Sequence, residues 1–192
     1  MPFTRSFLSV ACLALVTVFL SGCAGPAPNY APSIDNVEKL KKSQAAPAKV
    51  GSFSTQPGMA NADSIGLRAN SIVSPVGKHY GDYLGSALRS ELELARLHDP
   101  QSPREVSGTL LHNNINAGGI QTNDGQLEAR FVVKQGAEVQ FDKIKKVAHQ
   151  WEGSFAGAVA IPQASNNYQV MVQKLIGALL ADPDFISALK KN

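Results

Sequence analysis

Cysteine is nearly absent, and its placement matters more than its number. The 192 residues hold two, Cys12 and Cys23, both close to the start. Beyond residue 23 there is no thiol, so that part of the chain can form no internal disulfide, no zinc–thiolate site and no cysteine nucleophile. Charge of one sign is scarce as well. Beyond residue 22 there are 17 basic and 15 acidic side chains, a formal net of +2. A nucleic-acid footprint needs a basic excess, so nucleic acid is not expected as a partner. No apolar run reaches the roughly 18 residues that a membrane-spanning helix requires.

Catalytic signatures are missing too. The four histidines, His79, His98, His112 and His149, include no pair at helical ligand spacing, so no metal and no cofactor is expected. His112 and His149 lie on neighbouring predicted strands, which leaves their juxtaposition open. His149 shares its parity with Val147 and Trp151 and reads as half-buried. No serine sits in a G-x-S-x-G turn, and Gly153-Ser154-Phe155-Ala156-Gly157 has the wrong spacing for one. Gly118-Gly119 and the Gly153/Gly157 pair lack the following Lys-Ser/Thr of a phosphate loop and read as turns or close packing. Glu91 and Glu93 fall on the polar side of a predicted helix and read as a solvated face. No catalytic residue emerges, and the expectation is a protein that is not an enzyme.

What is present begins at the start of the chain. Arg5 supplies a positive charge, and Phe7 to Leu20 reads FLSVACLALVTVFL without any charge. That is the length of a signal-peptide core and too short to cross a ~30 Å hydrocarbon layer. It ends in Leu20-Ser21-Gly22-Cys23. This resembles the lipobox of bacterial lipoproteins: a branched residue, two small ones, then cysteine. The resemblance implies that residues 1–22 are a signal peptide removed on export. It implies also that the Cys23 thiol is alkylated by a diacylglycerol donor and its new amine acylated. In enteric-type lipoproteins an aspartate after the cysteine retains the protein in the inner membrane. Ala24-Gly25 stand there instead, which implies an outer-membrane anchor with the domain facing the periplasm.

Residues 23–47 carry Pro26, Pro28, Pro32 and Pro47 and few large apolar side chains, and are expected to be a lipidated tether. A short helix is predicted inside it, on Ile34, Val37 and Leu40. As a flexible chain it would hold the domain ~25–30 Å from the lipid. Residues 48–192 are expected to form one domain. Lys49–Phe53 reads as a strand, 55–70 as a loop and Ile72-Val73 as an extended piece. Ser74-Pro75 predicts a helix start, and Tyr80, Tyr83, Leu84, Ala87, Leu88 and Leu92 its apolar face to about Leu97. Alternation then predicts three strands. They are carried by Val106–Leu110, by Leu127–Val133 with a continuation through Val139 and Phe141, and by Val147–Phe155, with Asn123-Asp124-Gly125 as a connection. Asn166 or Asn167 predicts the start of a last long helix bearing Tyr168, Met171, Val172, Leu175, Ile176 and Leu179, and Asp182-Pro183 its stop. The order predicts an α+β fold: a two-layer sandwich of an antiparallel sheet of about four strands with two main helices on one face.

The stretch from His149 through Trp151, Gly153, Phe155 and Gly157 to Pro162, together with Asp182-Pro183-Asp184-Phe185, resembles a group of uncharacterised proteobacterial lipoproteins over roughly residues 48–190. In layout the chain is also similar to the auxiliary lipoproteins of envelope ABC-type lipid transporters. These resemblances imply a non-catalytic accessory module that binds an envelope protein or serves a transport complex. The alternative is a periplasmic module holding an apolar ligand, such as a lipid, between helices and sheet.

Overall fold

Three long runs with apolar residues at alternate positions over part of their length lay down the centre of the molecule. In the computed structural model, which describes residues 24–190, they are β5 (Arg104–Asn116), β6 (Thr122–Gln135) and β7 (Glu138–Glu152). With β2 (Lys49–Thr55) they form a four-stranded sheet in the order β2-β5-β6-β7. β5, β6 and β7 are antiparallel neighbours, whereas β2 runs parallel to β5. Before that sheet is complete the chain builds a second one, β1-β4-β3, from β1 (Ala24–Pro26), β3 (Ser64–Leu67) and β4 (Asn70–Val73).

Two long helices cover one face of the large sheet. α2 (Tyr80–Leu94) packs on β2 and β5, and α3 (Gly157–Leu180) on β6 and β7. The interface between them is filled by Tyr80, Tyr83, Leu84, Leu88, Phe131, Tyr168 and Leu175, all buried. Three tyrosine rings form its centre, with Tyr80 and Tyr168 centroids 4.8 Å apart and Tyr83 5.7 Å from Tyr168. The α+β architecture with an essentially antiparallel four-stranded sheet is therefore present. α1 (Ile34–Lys42) lies outside the helix layer, against α2 and α3, and α4 (Pro183–Ala188) follows α3 after Asp182, whose side chain caps it.

Several local expectations are corrected, each for a physical reason. Residues 24–47 are no tether: β1 pairs with β4, and Ala27, Val37, Leu40 and Ala46 are buried. α2 starts at Tyr80 and not at Pro75, because His79 and Asp82 form a reciprocal cap in which each side chain bonds the other's backbone N–H. Val139 and Phe141 belong to β7, since the turn at Gly136, with φ of 60°, reverses the chain before them. Asn123-Asp124-Gly125 lies inside β6. Gly125 is needed there because a Cβ would meet the Met171 sulfur of α3 at 2.6 Å. α3 begins at Gly157, well ahead of the Asn166 or Asn167 start that the sequence predicts. Pro162 lies in the second turn of α3 and removes the one bond its N–H would give to the Ala158 carbonyl. Trp151 is half-buried against the core, and Phe155, read as sharing its buried face, is in a loop and exposed.

Candidate functional site

The lipobox residues Leu20, Ser21, Gly22 and Cys23 lie outside the described residues. The described residues begin directly after them, at Ala24. Ala24 pairs with Ser71 in parallel register, so the chain joins the molecule beside the turn that links Leu67 to Asn70. Arg68 of that turn adopts φ of 58° and aims its guanidinium across the end of the large sheet. It donates to the carbonyls of Ala117 at 2.8 Å, Gly119 at 3.4 Å, Phe155 at 2.9 Å and also Ser154. One planar five-donor group thus ties together the β3–β4 turn, the β5–β6 loop and the β7–α3 loop. The glycines of these loops serve close approach: a Cβ on Gly119 would stand 1.9 Å from the Thr122 carbonyl oxygen, and one on Gly153 2.6 Å from that of Gly119. Of the glycines singled out in the sequence, Gly119 and Gly153 are thus packing devices, whereas a Cβ on Gly118 or Gly157 would meet no atom closer than 3.5 Å.

A buried carboxylate holds the segment after β1. Glu91 of α2, expected on a solvated face, is buried. Its Oε1 accepts from the Tyr30 hydroxyl, from Asn36 Nδ2 at 3.1 Å and from the Ser33 backbone N–H at 3.2 Å. Asn36 also donates to the Gln173 carbonyl of α3 at 2.9 Å, Tyr83 to that of Pro28 at 3.0 Å, and Gln173 to that of Ala31 at 2.8 Å. Burial pushes the Glu91 carboxyl above its ordinary range, against the pull of the Tyr30, Asn36 and Ser33 bonds. Burial, with the Glu91 charge adding to it, raises the Tyr30 hydroxyl so that it stays a donor. The sequence signal for this cluster was weak. A lone glutamate at helical spacing looks solvated unless the segment 61 residues earlier is known to cover it.

The histidines separate. β5 carries a bulge between Leu110 and His112, where Leu111 has no partner, and this turns His112 to the outer, exposed face. His149 stays on the helix-facing side. Its Nε2 is 2.9 Å from Asn167 Oδ1, and its Nδ1 is 2.8 Å from Lys174 Nζ. A neutral ring satisfies both, accepting from the ammonium at Nδ1 and donating from Nε2. His149 and Lys174 line an open cleft of about 360 Å³ with Asp124, Gln126 and Gln150. Within its lining, Asp124 accepts from Asn116 Nδ2 at 3.2 Å and His149 and Lys174 bond as above, and the lining holds no serine, threonine or cysteine. At the far end of β7, Lys145 and Lys143 bond Asp182 at 2.6 and 3.1 Å, and Lys143 bonds Asp184 at 2.6 Å. The Lys145 ammonium, more than any other neighbour, holds the Asp182 carboxyl well below the usual range. Among the described residues there is no group of three or more His, Cys, Asp or Glu side chains placed to hold a metal ion.

No family model matches this chain, and no curated protein matches it. Solved structures do. A Caulobacter crescentus CB15 protein described as a candidate lipoprotein aligns at 11% identity over 83% of this chain and 99% of its own, with a TM-score of 0.46. A Xanthomonas campestris protein of the family DUF330 aligns at 14% identity over 83% of this chain and 92% of its own, with a TM-score of 0.50. The likeness to the Xanthomonas protein is one of fold: the α+β arrangement described above recurs there along nearly its whole length.

Proposed function

We propose that this chain is a non-catalytic envelope lipoprotein, anchored through lipid on Cys23 to the outer membrane and facing the periplasm, where it serves as a protein-binding or transport-complex accessory module. The observation that carries the reading is Leu20-Ser21-Gly22-Cys23 at the end of a charge-free apolar run. Two acyl chains or more make anchoring stable where one does not. Among the described residues no helix is long and apolar enough to cross a membrane, so membrane attachment would fall to the lipid. A binding role is favoured over a ligand-carrying one because the helix–sheet interface, where an apolar ligand would sit, is occupied by the tyrosine cluster and Phe131. The other face of the large sheet lies open, with Ile144 and Val139 of the edge strand β7 exposed.

Cys23→Ser tests the anchor. The variant is expected to accumulate as uncleaved precursor or to appear in the soluble fraction, and membrane retention equal to that of the unaltered chain would overturn the reading. Density-gradient separation tests the sorting, and recovery mainly with the inner membrane would refute it.

A further inference from the structure

The β1 end of the molecule carries a feature that anchoring alone does not use. Three large apolar side chains there face solvent: Phe155 at 83% exposure, Ile120 at 62% and Val159 at 47%. Phe155 and Ile120 come from the two loops that Arg68 clamps, and Val159 from the first turn of α3. Arg68, Gly118, Ile120 and Phe155 border one shallow apolar hollow. From Gly153 to Pro162 there is no charged residue. The backbone beneath Phe155 is held by Arg68, yet the ring itself gains nothing from the fold.

The start of the chain sits at this same end. Ala24 pairs beside the β3–β4 turn whose Arg68 reaches Phe155, and Cys23 is the residue before Ala24. One residue spans at most ~3.6 Å, and the segment that follows is part of the fold, so no spacer separates the lipid-bearing position from the domain. We infer that Ile120, Phe155 and Val159 form a membrane-seated tip, lodged in the headgroup–acyl boundary of the bilayer that holds the Cys23 lipid. The inference rests on the lipidation reading above. The charge pattern defines the lipid surface it fits. Glu152 and Asp124 are the nearest carboxylates along these strands, and the Arg68 guanidinium is taken up by carbonyls. The tip therefore enters by apolar burial, and its seating depends neither on anionic lipid nor on salt.

The test uses the full lipidated chain, purified and reconstituted into phosphatidylcholine vesicles. Because the Cys23 thiol is alkylated in the lipidated chain and no other thiol follows it, Phe155→Cys or Ile120→Cys each supplies a single site for a polarity-sensitive dye. Both sites are exposed, so neither change threatens the core. Ala137→Cys, in the exposed β6–β7 turn at the opposite end of the sheet, is the control. The dyes at 155 and 120 are expected to emit to the blue of the dye at 137. They are also expected to lose intensity when the lipid carries a spin label high on its acyl chain, at low and raised salt alike. Emission at 155 and 120 matching that at 137, without quenching, would overturn the inference, as would shielding that arises only when envelope proteins are added. Flotation of the unlabelled chain with vesicles is scored separately. Its failure would remove the anchor reading, whereas flotation with water-exposed dyes would remove only the tip.

Discussion

Glu91 shows how one residue can be misplaced by periodicity and yet govern how stability depends on pH. Its carboxyl has an ordinary value of 4.5 in the unfolded chain and a higher one in the fold, chiefly through burial. Above the folded value both states are ionised, and the fold bears the cost of the buried charge. As pH falls through the folded value towards 4.5, the folded chain takes up its proton first, so stability rises. Asp182 acts with the opposite sign. Its carboxyl is held below the ordinary 3.8, so its contribution is present above 3.8 and is lost as pH falls through the folded value. Glu91→Gln keeps an oxygen for Tyr30, Asn36 and Ser33 while removing the titration. Denaturant unfolding of this variant at pH 7 and pH 4.5 is expected to lack the rise on acidification that Glu91 gives the unaltered chain. Equal rises in both would assign the effect elsewhere.

At the scale of elements, α1 is the sharpest case. Its sequence predicts a short helix with Ile34, Val37 and Leu40 on one face, and in the structure Ser33 caps it. Nothing local says whether that face meets another surface. The structure lays it across α2 and α3, with Leu40 and Val37 buried and Ile34 left in solvent. Leu40→Ala is therefore expected to cost about 2–5 kcal/mol in denaturant unfolding, as for a buried leucine elsewhere. A change below about 0.5 kcal/mol, the value typical of surface positions, would return the segment to the status of a linker. The β5 bulge makes the same point for strands. A single unpaired residue, Leu111, reverses the parity of everything after it, so Asn113 and Ile115 take the inner face and His112 the outer.

For the whole molecule, the consequence, if Cys23 carries the lipid as proposed, is that anchor and domain are contiguous. A ~25–30 Å flexible spacer would let the domain tumble beside the membrane. A chain whose first described residue is already paired fixes which end faces the lipid. Residues 24–47 also close the helix layer, covering Tyr83 and Glu91. A chain beginning at Ala48 is thus expected to unfold at clearly lower denaturant concentration and less cooperatively than one beginning at Ala24. Coincident transitions would show the segment to be dispensable.

By itself the sequence determined the elements whose signal is local and repeated: the alternating strands around Val106, Leu127 and Val147, the apolar stripes of α2 and of α3 from Tyr168 onward, and the Asp182-Pro183 stop. It also carries Leu20-Ser21-Gly22-Cys23, whose resemblance to a lipobox is read by chemistry rather than by shape. Only the tertiary structure decided which polar residues are buried, where β5 bulges, that β2 runs parallel to β5, and that the proline-rich start belongs to the fold. Those outcomes depend on partners tens of residues away, such as Glu91 for Tyr30, Met171 for Gly125 and Arg68 for Phe155. Periodicity reports the face a residue presents within its own element. What covers that face is set by long-range packing, and no window of sequence contains it.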